Sequence, residues 1–165
     1  NGKSYGKQSK NNSSLKSRYR LMWMDAVYEP GEVKVVAYNK DGKAVAEKTV
    51  RTAGKPHHIE LVSNRNELTA DGKDLAYVTV KVVDKDSNLC PTDSRLIHFS
   101  VKGAGKFRAV ANGDPTNLEQ FHLPKMHAFH GMLTAIVQAG EIAGDLVLTA
   151  KASGVKTGTV HLQAK

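Results

Sequence analysis

Two stretches of this chain repeat one phrase. Gly31-Glu32-Val33-Lys34-Val35-Val36-Ala37 and Gly144-Asp145-Leu146-Val147-Leu148-Thr149-Ala150 each open on a turn glycine and an acid, then alternate apolar residues up to an alanine. Each is followed by a second glycine, Gly42 or Gly154, and then by a Thr-Val pair, Thr49-Val50 or Thr159-Val160. Alternation at period two puts every second side chain on one face of a strand, and a glycine between two such runs turns the chain back. The repeat predicts two copies of one small β module. The first copy starts too early in the chain to be whole. The expected organisation is therefore an incomplete module over residues 1–54 and a complete one over 55–165, cut from a longer multi-module protein.

The bulk numbers set bounds around that reading. A chain of 165 residues holds one domain or two small ones, and 40% hydrophobic residues suffice for a core. No apolar run approaches the roughly 18 residues of a membrane helix, so no membrane partner is expected. No secretory signal opens the chain, and any export signal would lie upstream of Asn1. Cys90 stands alone, which excludes an internal disulfide and a thiolate metal cluster; beside Pro91 it reads as a small buried hydrophobe. The net charge of +8 is uneven, because residues 1–20 carry Lys3, Lys7, Lys10, Lys16, Arg18 and Arg20 and no acid. A nucleic-acid reader would set such charge on an ordered face with stacking aromatics. Tyr5 and Tyr19 are present, but Asn11-Asn12-Ser13-Ser14 between them reads as a flexible loop, and a solvated basic end is the plainer expectation.

Strands are expected at 19–25, 32–38 and 44–51, with Tyr19, Leu21 and Trp23 on one face of the first and Val33, Val35 and Ala37 on one face of the second. Beyond Ala53-Gly54-Lys55-Pro56 come strands at 58–62, 75–83, 96–101, 107–111 and 133–138, then a hairpin over 145–164. Residues 112–131 read as one long loop. About seven strands in about 110 residues is the grammar of an all-β immunoglobulin-like sandwich. No sustained helical period is visible.

The runs Asn1-Gly2-Lys3-Ser4, Tyr19-Arg20-Leu21-Met22-Trp23 and Tyr28 to Tyr38 resemble the end of an immunoglobulin-like domain found late in bacterial β-galactosidases of glycoside hydrolase family two. The second module resembles the final domain of the same enzymes. Its marks are Thr69-Ala70-Asp71-Gly72-Lys73-Asp74-Leu75, Tyr77-Val78-Thr79-Val80, Phe99-Ser100-Val101, Asn112-Gly113-Asp114-Pro115-Thr116 and Phe129-His130-Gly131. The resemblance implies a parent hydrolase that removes terminal β-galactosides with retention, by two carboxylates held in a (β/α) barrel. This chain has no segment for that barrel. No catalytic residue and no cofactor are assigned to it, and its seven glutamates are expected on the surface. The resemblance further implies the parent's catalytic domains as partners and a periplasmic or extracellular location.

The long loop carries the candidate site. Asn112, Asp114, His122 and Phe129 are the candidate sugar-contacting residues there, and Trp23, the only tryptophan, is a candidate sugar platform or a core residue of the first module. Phe121, Met126 and Phe129 are the loop's apolar anchors. His122, His127 and His130 are spaced so that a folded-back loop could bring them to a zinc ion, although a surface loop with incidental histidines is the plainer expectation. Asp84, Asp86 and Asn88 imitate the start of a calcium loop, but Leu89 and Arg95 stand where glycine and a bidentate glutamate belong. The bare strand edges of the first module are expected to pair with another copy of the chain, or else to leave residues 1–20 poorly ordered. Two functions of other classes remain open at this point: an adhesin stalk, since Asp71-Gly72-Lys73 and Asp84-Lys85-Asp86 also resemble invasin-type repeats, and a basic nucleic-acid-binding module.

Overall fold

A computed structural model describes residues 1–165 as two compact units, Asn1–Thr52 and Ala53–Lys165. Strand makes up 46% of the chain and helix 3%, so the all-β class holds. No helix is long and apolar enough to cross a membrane.

The first unit holds helix α1 (Leu15–Tyr19) and strands β1 (Glu32–Tyr38) and β2 (Ala44–Arg51). β1 and β2 form an antiparallel hairpin in which Val33 faces Val50 and Ala37 faces Ala46. Residues paired this way share a face. One face of the ribbon therefore carries Val33, Val35, Ala37, Ala46 and Val50 with Lys48 opposite Val35, while the other carries the ion pairs Lys34–Glu47 and Glu32–Arg51. Val33, Val35 and Val50 are exposed.

The strand expected over residues 19–25 is not present. Tyr19 ends a one-turn helix, started by a capping box in which Ser14 accepts from the backbone N–H of Ser17. Asn11-Asn12-Ser13-Ser14 is thus a helix start, not a loose loop. Farther on, the Gln8 side chain donates to the Met22 carbonyl at 2.7 Å and accepts from the Met22 N–H at 3.1 Å. Both ladder groups of Met22 are taken by a side chain, which removes them from strand pairing. Tyr19 and Leu21 are exposed rather than packed.

The second unit is a sandwich of nine strands, two more than the sequence suggests. They are β3 (His58–Ser63), β4 (Glu67–Leu68), β5 (Leu75–Val83), β6 (Leu96–Gly103), β7 (Gly105–Ala111), β8 (Lys125–His127), β9 (Met132–Ala139), β10 (Gly144–Lys151) and β11 (Gly158–Ala164). One sheet has the order β3-β5-β9-β7 and the other β4-β11-β10-β6-β8. Alternation decides the inward faces. Ala76, Val78, Val80 and Val82 from β5 are fully buried, as are Ile97 from β6, Ala135 and Val137 from β9, and Leu146, Leu148 and Ala150 from β10. The two additional strands are β4, which pairs with β11 through only two residues, and β8, which pairs with β6. Neither is long enough to show alternation in the sequence.

Two local devices hold this unit. The first is a change of sheet. The chain leaves the end of β6 in one sheet and enters β7 in the other across the single residue Ala104. Gly103 lies at φ +92, and a Cβ there would stand 2.0 Å from the Asp145 carbonyl oxygen. A Cβ on Gly105 would stand 2.1 Å from Leu146 Cδ1 and 2.5 Å from the Gln138 carbonyl oxygen. Glycine on both sides of Ala104 is what lets the chain change layer so tightly. The second device is Asp84, the one buried charged residue, at 3% exposure. Its carboxylate accepts from the Gly54 N–H at 2.7 Å, from the Asp86 and Asn88 N–H groups at 2.9 Å each, and from Asn88 Nδ2. The Gly54 N–H, foremost among these donors, holds the Asp84 carboxyl well below the usual carboxylate range. The calcium-like Asp84-x-Asp86-x-Asn88 spacing is thus a self-contained turn, with Ser87 at φ 62, that ties the start of the unit to the end of β5. Cys90 is buried as expected, and its burial raises the thiol's pKa.

Candidate functional site

The loop over residues 112–131 is built from short polar steps. Asn112 Oδ1 accepts from the Asp114 N–H at 3.1 Å, and Asp114 Oδ1 accepts from the Thr116 N–H and hydroxyl at 2.8 and 2.7 Å. Asn117 Oδ1 accepts from the Glu119 N–H at 2.9 Å. These turns spaced two residues apart are what Asn and Asp do in a chain without a ladder partner. The bonds to Thr116 hold the Asp114 carboxyl below its ordinary range, helped by His130.

The loop is also tied back to the sandwich, so it is not structureless. The Val110 N–H at the edge of the sheet donates to the Phe121 carbonyl at 2.8 Å. Met126 of β8 is fully buried in the core. The Glu119 carboxylate accepts from the His127 backbone N–H at 3.1 Å and lies 3.1 Å from the His127 ring nitrogen Nδ1. Asn112 Nδ2 donates to the His127 carbonyl at 2.9 Å, which joins the two ends of the loop.

Beyond β8 the chain reverses through His130 and Gly131. Both lie at positive φ, 51° and 73°, and Phe129 and Met132 exchange backbone hydrogen bonds of 2.9 and 3.0 Å across them. That is the geometry of a two-residue I′ hairpin turn. A Cβ on Gly131 would lie 2.3 Å from the Cys90 carbonyl oxygen, which requires glycine there. The Phe129 ring is held beside the His130 ring, with centroids 4.2 Å apart.

Between the end of β7 and the start of β9 lies an open cleft of about 470 Å³, lined by Ala111, Asn112, Gly113, Phe129, Met132, Leu133 and Thr134. It brings together two of the candidate residues, Asn112 and Phe129. Asp114 is two residues along the same rim, bonded to Asn112. His122 is exposed and does not line the cleft. Phe121 is exposed rather than an anchor. Trp23 belongs to the first unit, where it is half-buried with its indole Nε1 enclosed and unpartnered.

The three histidines do not converge. His127 turns to Glu119, His130 Nδ1 lies 3.3 Å from the Pro91 carbonyl, and no three side chains of His, Cys, Asp or Glu come together at metal-binding distance. The alternative zinc set His122, His127 and His130 is corrected accordingly: β8 pairing fixes His127 on one side of the loop and the I′ turn fixes His130 on another. Sequence reasoning missed the Glu119–His127 clip and the cleft residues Met132, Leu133 and Thr134. The latter were legible only as strand.

Residues 59–161 match the model of the glycoside hydrolase family 2 C-terminal domain 5. The chain belongs to the glycoside hydrolase family 2 C-terminal domains. Residues 1–46 match a domain of unknown function, DUF4982. The family 2 chain is 41% identical over all 165 residues to a β-galactosidase of Bacteroides ovatus, of which it covers 19%. It is 33% identical over 111 residues, 67% of its own length, to a β-galactosidase of Thermoanaerobacter pseudethanolicus, of which it covers 13%. Among solved structures it resembles a glycosyl hydrolase family 2 member from Bacteroides cellulosilyticus, with a TM-score of 0.77 and 31% identity over 85% of this chain and 18% of that one. The chain thus spans about a fifth of the length of these two Bacteroides relatives. The resemblance read from Tyr19-Arg20-Leu21-Met22-Trp23 and Asn112-Gly113-Asp114-Pro115-Thr116 therefore holds.

Proposed function

We propose that this chain is the non-catalytic C-terminal accessory region of a family 2 β-galactosidase, working in the periplasm or outside the cell. The observation that carries the reading is the end-to-end match to a β-galactosidase of which the chain covers only 19%. Two β units, one of them a closed sandwich, are suited to packing rather than to chemistry. Retaining glycoside hydrolysis needs two carboxylates about 5–5.5 Å apart in a site shaped for the sugar. Here the Asp84 carboxylate is occupied with tying a turn, and the Glu119 carboxylate with tying a loop. Phosphoryl, redox or nucleic-acid chemistry has no comparable support.

The partner in this reading is the rest of the enzyme. The β1–β2 ribbon has an uncovered, mainly apolar face with Val33, Val35 and Val50, and neither outer edge has a strand partner. A two-stranded ribbon of this kind needs a further sheet for stability. In the longer protein the neighbouring domains supply that sheet. In the isolated chain a second copy does.

The 165-residue chain, incubated with a chromogenic β-galactoside, should release no chromophore above the buffer rate. The same preparation should sediment as a dimer, and a chain with both Val33→Lys and Val50→Lys should sediment as a monomer. Turnover that survives purification to homogeneity sinks the accessory reading.

A further inference from the structure

We propose that Asn112 is a self-modification site: attack by the following Gly113 nitrogen converts its side-chain amide, without an enzyme, to an aspartyl or isoaspartyl carboxylate, and this unties the loop over residues 112–131. The inference goes beyond the accessory reading and does not rest on it.

Three groups are set for the reaction. The nucleophile is the Gly113 backbone nitrogen. It lies outside every strand, on an exposed residue, and its N–H donates to no protein acceptor. Gly113 sits at φ +78 with nothing within 4 Å of where a Cβ would be, so a ring can close there without a clash. The electrophile is Asn112 Cγ. Its Oδ1 accepts from the Asp114 N–H at 3.1 Å. That oxygen takes up negative charge when Cγ is attacked, and the Asp114 N–H stabilises it as the donor of an oxyanion hole does. The leaving group is Asn112 Nδ2, which donates to the His127 carbonyl at 2.9 Å.

The atoms balance with water alone. Solvent hydroxide removes the Gly113 amide proton, and the bond from the Gly113 nitrogen to Cγ forms. The Cγ–Nδ2 bond breaks with release of ammonia, which takes a proton from water and returns the hydroxide. Water then opens the five-membered imide at either carbonyl. One opening leaves aspartate, and the other leaves isoaspartate, whose main chain is longer by a methylene. Nothing is oxidised or reduced. In both products a carboxylate replaces the amide, so the donor to the His127 carbonyl that joins the two ends of the loop is gone. Asn39 and Asn117 are internal controls. The Oδ1 of each accepts from the N–H two residues on, at 3.1 and 2.9 Å, but Lys40 and Leu118 follow them in place of glycine.

The experiment ages the 165-residue chain in mildly alkaline buffer, folded and, in parallel, unfolded in guanidinium chloride, and follows each asparagine by peptide mass mapping with enzymatic methylation of isoaspartate. In the folded chain Asn112 is expected to convert roughly tenfold or more faster than Asn39 and Asn117, and no slower than in the unfolded chain. The converted fraction, separated by its added negative charge, is expected to exchange two amide protons faster than the unconverted chain: that of Val110, bonded to the Phe121 carbonyl, and that of His127, bonded to Glu119. Conversion at Asn112 no faster than at Asn39 or Asn117, slower conversion folded than unfolded, or unchanged exchange in the converted fraction overturns the proposal. None of these results bears on whether the chain hydrolyses a galactoside, so the accessory reading stands or falls separately.

Discussion

Gly103→Ala is expected to cost the second unit about 2–5 kcal/mol, a large share of its stability. The added methyl would lie 2.0 Å from the Asp145 carbonyl oxygen, and the residue would have to hold φ +92. The contacting atom is backbone in β10, which is paired on both sides, by β6 and β11, and cannot give way. Overpacking a well-packed site costs about 1–3 kcal/mol and forcing an alanine to positive φ about 1–2 kcal/mol more, against the 5–15 kcal/mol that a domain has in all. Gly154→Ala is the control. Gly154 has a similar positive φ of +74, but the nearest atom to its Cβ position is Arg95 Nη1 at 3.8 Å. That variant should lose only about 1–2 kcal/mol. The midpoints of denaturant unfolding compare the two, and equal midpoints would show that the change of sheet is not where the fold is tight.

Asp84→Ala is expected to lower the melting temperature by several degrees and to flatten its dependence on acid. The substitution leaves the N–H groups of Gly54, Asp86 and Asn88 without the acceptor that the buried Asp84 carboxylate provides. The sign of the pH effect follows from the direction of the shift. The folded carboxyl is held below its unfolded value of 3.8, chiefly by the Gly54 N–H. Its contribution is therefore complete above about pH 4 and is lost as the pH falls from there through the depressed folded value. The unaltered protein should lose melting temperature steeply below pH 4, and the Asp84→Ala chain less steeply. Parallel curves would assign the acid sensitivity to other carboxyls.

The sandwich was legible because its strands are long enough to alternate. Leu75–Val83 alternates over nine residues, and every second one is buried. The repeated phrase was legible for the same reason, and both of its copies fold as antiparallel hairpins. Its energetics were not legible. Leu146 and Leu148 are fully buried, whereas Val33 and Val35, in the corresponding places of the first copy, are exposed. Nothing within either phrase distinguishes them. What differs is the opposing sheet, which is a property of the surrounding chain. At the site, Asn112 and Phe129 could be named from turn grammar and aromatic character. Their meeting depends on β8, which has three residues, and on the positive φ of His130, which a histidine adopts only when the turn demands it. The strand expected over residues 19–25 failed because a side chain, Gln8, competes with the ladder from fourteen residues away.

The last strand of the second unit, β11, lies inside its sheet, between β4 and β10. During translation the sandwich therefore waits with a gap in one wall until Gly158–Ala164 has left the ribosome. Until then the sides of β4 and β10 that will receive it are open to any passing extended chain. A cell that makes this protein relies on rapid docking of β11, or on a chaperone that shields the slot until it arrives.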